Sequence, residues 1–161
     1  MPQRILVVDD ERTIRELVCE VLADEGYEVI GASNGAEALS ALEQNAPFSL
    51  VVLDMWMPVM NGWQFAAEIA ERGISVPIVV MTAAREARHR AEEIGAIGYI
   101  GKPFDVDQFI ESVETAIRSS GPALENGASF SDVTRPISKL IFAPLRHLAL
   151  GTFAPRSGGA Y

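Results

Sequence analysis

Five short runs rich in aliphatic and β-branched residues, Ile5–Val8, Glu28–Ala32, Leu50–Leu53, Ile78–Met81 and Ile97–Ile100, recur through the first hundred residues with helix-length stretches between them. Several are apolar without alternation, the pattern of strands buried on both faces. Such a strand needs cover above and below. Helices supply it when each strand returns through a right-handed crossover, so the repeated β-α order predicts a doubly wound α/β domain with helices on both faces of a parallel sheet.

The intervening stretches carry helical signals. Ile14, Leu17, Val18, Val21 and Leu22 fall on one core-facing stripe that Gly26 ends. Val106, Phe109, Ile110, Val113 and Ile117 repeat the template, with Asp105 and Gln108 spaced as a capping pair. Asn61 and Gln64 give a similar start signal for the helix holding Phe65 and Ile69. Residues 84–94 are poorer: Ala84, Ala87, Ala91 and Ile94 face the core, while Glu86–Arg90, Arg88–Glu92 and His89–Glu93 form i,i+4 pairs on the solvent side. Alanine buries little surface, so this helix is expected to be held less tightly than its neighbours.

A parallel sheet brings the C-terminal ends of its strands to one edge. Asp9 and Asp10 follow the first run, Asp54 the third, Thr82 the fourth and Lys102 the fifth. Each alone has an ordinary explanation. Paired aspartates after a strand serve as helix caps or solvent-facing charge. Asp54, at the end of a buried strand, needs a partner, and an ion pair with Lys102 would suffice. Thr82 could be a plain strand-end hydroxyl, and Tyr99 a packing aromatic. Together they make a different site. A carboxylate can attack a phosphoryl group to give an acyl phosphate, but two anions must then meet, so a cation has to bridge them. Mg²⁺ suits that role because it takes oxygen ligands and needs only one or two carboxylates plus a phosphoryl oxygen. Asp54, Asp9 and Asp10 offer those oxygens, Lys102 a compact ammonium, and Thr82 a neutral donor.

Other candidates lead elsewhere. Cys19, the single cysteine, lies on the flank of a helical stripe beside no evident base and reads as an inert thiol. His89 and His147 have no partners at metal spacing and read as surface residues. Gly35, Gly62, Gly95, Gly98 and Gly101 form no nucleotide-binding fingerprint. Met55, Met57 and Met60 read as packing residues. A phosphatase with an aspartate nucleophile usually has a second acid close by as general acid, which Asp54-Met55-Trp56 lacks.

The motifs resemble, in type, order and spacing, the receiver domains of bacterial two-component response regulators, over about residues 3–120. Asp9-Asp10 looks like the acidic pair, Asp54 with Met57-Pro58 and Gly62 like the phosphoacceptor loop, Thr82-Ala83 like the switch hydroxyl and its small neighbour, and Lys102-Pro103-Phe104 like the lysine with its proline. Tyr99 falls where the family carries its switch aromatic. The resemblance implies a flavodoxin-like, five-stranded sheet of order 2-1-3-4-5 flanked by five helices, as in a stand-alone, chemotaxis-regulator-like receiver. It implies direct ligation of Mg²⁺ by the second acid of the pair, ligation largely through water by the first, a backbone carbonyl ligand at Trp56, and a cis Lys102-Pro103 bond. It also implies a histidine kinase or histidine phosphotransfer protein as phosphoryl donor.

Function is then expected as a switch. An acyl phosphate on Asp54 attracts Thr82, Tyr99 turns inward, and the surface of residues 84–119, itself open to dimerisation, changes. Trp56 and Ala84 are expected to tune hydrolysis, with Trp56 shielding the phosphoryl group from water. The chain's own catalysis is limited to accepting that group and slowly releasing it, so it is not classed as an enzyme. The alternative is a receiver-fold scaffold, never phosphorylated, that acts through its C-terminal tail.

Charge divides the chain. Residues 1–120 hold 20 acidic against 9 basic residues, and residues 121–161 hold 2 against 4. An acidic body argues against direct nucleic-acid binding, which needs clustered Lys and Arg. One cysteine, no signal-peptide core and no run of about 18 apolar residues fit a cytoplasmic protein. Residues 121–134 read as a linker and 135–161 as a tail, in which Arg135, Lys139 and Arg146 oppose Ile137, Ile141 and Leu148 on a helical wheel that Pro144 breaks. About 30 residues are too few for a helix-turn-helix, so no transcriptional output is expected from the tail. Membrane contact by this basic amphipathic segment is weighed below folding against the receiver or disorder.

Overall fold

In the computed structural model, which describes residues 2–45 and 47–121, ten elements alternate strictly. They are β1 (Arg4–Val8), α1 (Arg12–Asp24), β2 (Glu28–Ala32), α2 (Gly35–Gln44), β3 (Leu50–Leu53), α3 (Gly62–Glu71), β4 (Ile78–Ala83), α4 (Ala84–Ile94), β5 (Gly98–Lys102) and α5 (Val106–Ser120). The five strands form one sheet in the order β2-β1-β3-β4-β5, and all four pairings are parallel. Apart from Gly121, which caps α5, the linker and tail read from sequence lie outside the described residues.

The strand pleat sorts the core into two layers. Leu6, Val8, Val51, Leu53 and Val80 pack with Ala38, Leu39 and Leu42 of α2, Phe65 and Ile69 of α3, and Ala91 of α4. Ile5, Val7, Leu50, Val52, Val79 and Met81 pack on the other face with Val18 and Leu22 of α1 and Phe109, Val113 and Ile117 of α5. The unalternating runs are thus explained, since both faces of β1 and β3 are covered and Ile5–Val8 and Leu50–Leu53 are fully buried.

Helix starts follow the sequence signals in part. Asn61 and Gln64 form a complete capping box on α3. Asp105 caps α5 by accepting from the N–H groups of Asp107 and Gln108. Asn34, not singled out from sequence, caps α2 from the backbone of Ala36 and Glu37. Asp9 and Asp10 do not cap α1, whose N-cap is Glu11 without a side-chain bond.

Several expectations need correction. Leu17 of α1 and Val106 of α5, read as core-facing, are exposed. Residues Thr82 and Lys102 lie inside β4 and β5 rather than beyond them, because Thr82 pairs with Gly101 and Ala83 with Lys102. The ladder satisfies these polar residues' backbone groups and so outruns the apolar stretch, while exposed Ile97 lies before β5. In α4, Ala84 is exposed rather than core-facing, and only Ala87 and Ala91 are buried. This helix starts directly from β4 without a side-chain cap.

The loop after β3 is tightly folded. Its Met60 N–H donates to the Pro58 carbonyl at 2.8 Å, closing a three-residue turn around Val59, whose φ is +69°. A β-branched residue is strained in that turn, and its side chain is 81% exposed and offsets little. Val59→Gly is therefore expected to stabilise the fold by about 1 kcal/mol, the relieved strain less the entropy cost of glycine. Urea denaturation measures it, and a loss of stability would show that the strain is absent.

Candidate phosphoacceptor site

The loop is pinned from both sides by glycines. Gly62 donates to the Met55 carbonyl, and a Cβ there would lie 2.9 Å from the Asp54 carbonyl oxygen and 2.7 Å from Met55 Sδ. Gly35, opening α2, donates to the Met60 carbonyl, where a Cβ would stand 2.8 Å from that oxygen. Only glycine lets these backbones approach so closely. At the strand ends, Asp9 N–H donates to the Ala32 carbonyl and Asp54 N–H to the Val8 carbonyl, extending the sheet's bonding into the residues that carry the carboxylates.

Three carboxylates meet at this edge, with one ligand oxygen each from Asp9, Asp10 and Asp54 within 4.8 Å of one another. Asp9 is fully buried, Asp54 nearly so, and Asp10 exposed. Both oxygens of Asp9 are engaged: Oδ1 accepts from Glu11 N–H at 2.9 Å and Oδ2 from Lys102 Nζ at 2.6 Å. Lys102 Nζ also stands 3.6 Å from Asp54 Oδ2. The ion pair weighed from sequence thus exists, with Asp9 as the closer partner. Asp54 Oδ1 accepts a longer bond, 3.4 Å, from the Trp56 backbone N–H.

Burial pushes the Asp54 carboxyl up to about 6; Lys102 pulls against that rise, and Asp9 adds to it. For Lys102, burial favours the neutral amine, yet the bond to Asp9 and the charges of Asp54 and Asp9 prevail and hold its pKa above the ordinary value. Three clustered acids, of which Asp9 and Asp54 face the Lys102 ammonium, make an oxygen-lined, electronegative cluster, a donor set that fits a hard divalent cation. Asp9, Asp10 and Asp54 are the groups that could hold it; the Trp56 carbonyl is a fourth ligand implied by the resemblance.

The remaining expected residues divide. Thr82 is buried on the neighbouring strand at the same edge. Tyr99, on β5, is half exposed, and the Lys102-Pro103 bond is cis. Trp56, expected to shield the phosphoryl group from water, donates its indole N–H to Glu86 of α4 at 3.2 Å and packs edge-on against Trp63. Nothing in the sequence marks Trp63 or Arg90 as a site residue. Arg90, placed on the solvent side of α4, lies against both indoles. Cys19 is half-buried, and burial raises its thiol pKa. Among the described residues no helix is long and apolar enough to cross a membrane.

A parallel sheet of order 2-1-3-4-5 with an acidic pair, a buried aspartate, a hydroxyl and a lysine at its C-terminal edge defines the receiver class. The model of the response regulator receiver domain matches residues 5–114, and the chain belongs to that family. The transcriptional regulatory protein PdtaR of Mycobacterium tuberculosis is 41% identical over 120 residues, covering 73% of this chain and 58% of PdtaR. The chain spans little more than half the length of the curated relatives it matches. Among solved structures, the response regulator TrrA of Thermotoga maritima in complex with Mg²⁺ and BeF is 39% identical, with a TM-score of 0.63 over 71% of this chain and 98% of that one. The chemotaxis protein CheY4 of Vibrio cholerae is 31% identical, with a TM-score of 0.65 over 72% of this chain and 99% of its own. Fold class and strand order agree with the expectation from sequence.

Proposed function

We propose that this chain is a phosphorylation-driven signalling switch in which Asp54 accepts a phosphoryl group from a phosphohistidine on a histidine kinase or phosphotransfer protein. The observation that carries this reading is the position of Asp54: a buried carboxylate with Lys102 3.6 Å away and Asp9 and Asp10 at ligand distance. An Asp54 oxygen attacks phosphorus, the O–P bond forms as the donor's N–P bond breaks, and the imidazole leaves with the electron pair. Asp9, Asp10, Asp54 and the Trp56 carbonyl would hold Mg²⁺, which would supply charge neutralisation for the approach of two anions. Lys102 holds a phosphoryl oxygen, a role for which its raised pKa keeps it charged. Trp56 and Ala84 set the access of water to the acyl phosphate.

The output is conformational. Thr82 moves to a phosphoryl oxygen and frees space into which Tyr99, half exposed here, turns. The α4–β5 surface then changes for a protein partner. Incubation with Mg²⁺ and a small acyl phosphate is expected to add the mass of one phosphoryl group to the wild-type chain and none to Asp54→Ala. Unmodified wild type, or equal labelling of the variant, sinks the reading.

A further inference from the structure

Both tryptophans of the chain sit in one cluster between the phosphoacceptor loop and α4. Trp56, on the loop, and Trp63, in the first turn of α3, meet edge to face with ring centroids 4.8 Å apart. The Arg90 guanidinium lies 5.7 Å from the Trp56 ring centre and 5.2 Å from that of Trp63, within cation–π range of both. Two glutamates complete the cluster. Glu86 accepts from Arg90 Nε at 3.3 Å and from Trp56 Nε1 at 3.2 Å. Glu93 accepts from Arg90 Nη1 at 3.2 Å and from Trp63 Nε1 at 2.9 Å. Each indole is thus held by its face and by its N–H, and both attachments lead to one helix.

The arrangement is more than a surface salt bridge. Arg90 keeps 20% of its side chain exposed, whereas Arg88, paired with Glu92 on the same helix, keeps 76%. Apolar packing of α4 rests on the small Ala87 and Ala91 and on part-buried Ile94 at its end, so the aromatic and charged contacts add to a modest apolar attachment. They reach the acidic site within one residue. The backbone N–H of Trp56 donates to Asp54 Oδ1 at 3.4 Å, and its carbonyl is a metal ligand in the function proposed above.

We propose that Arg90 is a positioning residue for metal and phosphoryl binding at Asp54, acting through Trp56. The inference rests on the proposed phosphoacceptor function. Arg90 and its glutamates fix the Trp56 ring, the ring limits the backbone torsions of residue 56, and those torsions place both the N–H on Asp54 and the carbonyl ligand. Linkage makes the effect reciprocal: a partner that displaces α4 weakens cation binding, and a bound cation favours the present α4 position.

Charge alone predicts the opposite sign. Loss of a positive side chain makes the surroundings more negative and strengthens cation binding, whereas loss of the clamp weakens it. Mg²⁺ titration of the full chain, followed by ¹H–¹⁵N NMR including the two indole N–H signals, separates them. Arg90→Gln is expected to raise the Mg²⁺ dissociation constant about fivefold, the low end of coupling between sites. Arg90→Lys, which keeps a cation over the rings, is expected to recover part of the loss, while Arg88→Gln, with the same charge change, leaves the constant unchanged or lowers it. In a Trp56→Leu background the effect of Arg90→Gln should disappear. Equal constants for wild type and Arg90→Gln, or equal shifts in Arg90→Gln and Arg88→Gln, overturn the positioning role alone. Wild type that binds no Mg²⁺ overturns the phosphoacceptor reading and this inference with it.

Discussion

In metal-free buffer at pH 8, Asp54→Asn is expected to make the fold more stable by about 2–3 kcal/mol, although it removes the residue on which the proposed chemistry depends. Burial lifts the carboxyl from an ordinary 3.8 to about 6. A shift of about two units costs about 3 kcal/mol when the group must be ionised in the folded state. Asparagine keeps an acceptor for the Trp56 N–H and carries no charge into the acidic cluster. The folded-state pKa lies above the unfolded one, so the fold binds the Asp54 proton more tightly. The resulting stabilisation is fully present below pH about 4 and is lost as pH rises through about 6. Wild type and variant should therefore converge near pH 4 and separate by pH 8. Excess Mg²⁺ should close the gap again, because a ligand that binds only the folded state stabilises it, and the variant lacks one of the ligands. Urea titrations at pH 4, 6 and 8, with chelator and with Mg²⁺, give the comparison. A variant less stable than wild type at pH 8 without metal would contradict this account of the site.

Such a site is legible in sequence for a physical reason. A strand buried on both faces admits no unpaired carboxylate, so Asp54 after Leu50–Leu53 stands out, and a parallel sheet gathers strand-end residues wherever they fall in the chain. The two core layers follow similarly from period-two and helical spacing. What sequence does not carry is set by tertiary contact. Trp63 reads as another apolar residue of α3 and Arg90 as an i,i+4 partner of Glu86, and they meet only because α3 and α4 cover the same face of the sheet. The indole of Trp56 goes to α4 because acceptors await it there. The ends of β4 and β5 escape a hydrophobicity argument because the backbone ladder runs on through Thr82 and Lys102. The turn at Val59 carries no glycine or asparagine signal, since the loop, held by Gly35 and Gly62, imposes a torsion that the residue itself resists.

Lys102→Met should have the opposite effect to Asp54→Asn at the same pH, destabilising the metal-free protein by about 3–5 kcal/mol, the range for breaking a buried ion pair from one side. The Lys102 ammonium makes the 2.6 Å bond to fully buried Asp9, and without it Asp9 keeps only the Glu11 N–H while still facing Asp54 and Asp10. Lys102 also lowers the Asp54 pKa, so its loss drives that carboxyl further upward and moves the acid-stabilised range to higher pH. A second substitution keeps the test open if the single variant is too unstable to study. With Asp54 neutralised, fewer charges compete for the missing cation, so Lys102→Met combined with Asp54→Asn should be more stable than Lys102→Met alone, and the two changes should not be additive. Mg²⁺ should restore part of the stability of the single variant by returning positive charge to the acids, but not its rate of phosphoryl uptake, because a phosphoryl oxygen still lacks the lysine. A single variant as stable as wild type in chelator, or strict additivity in the double variant, would mean that Lys102 is not what holds these carboxylates together before metal arrives.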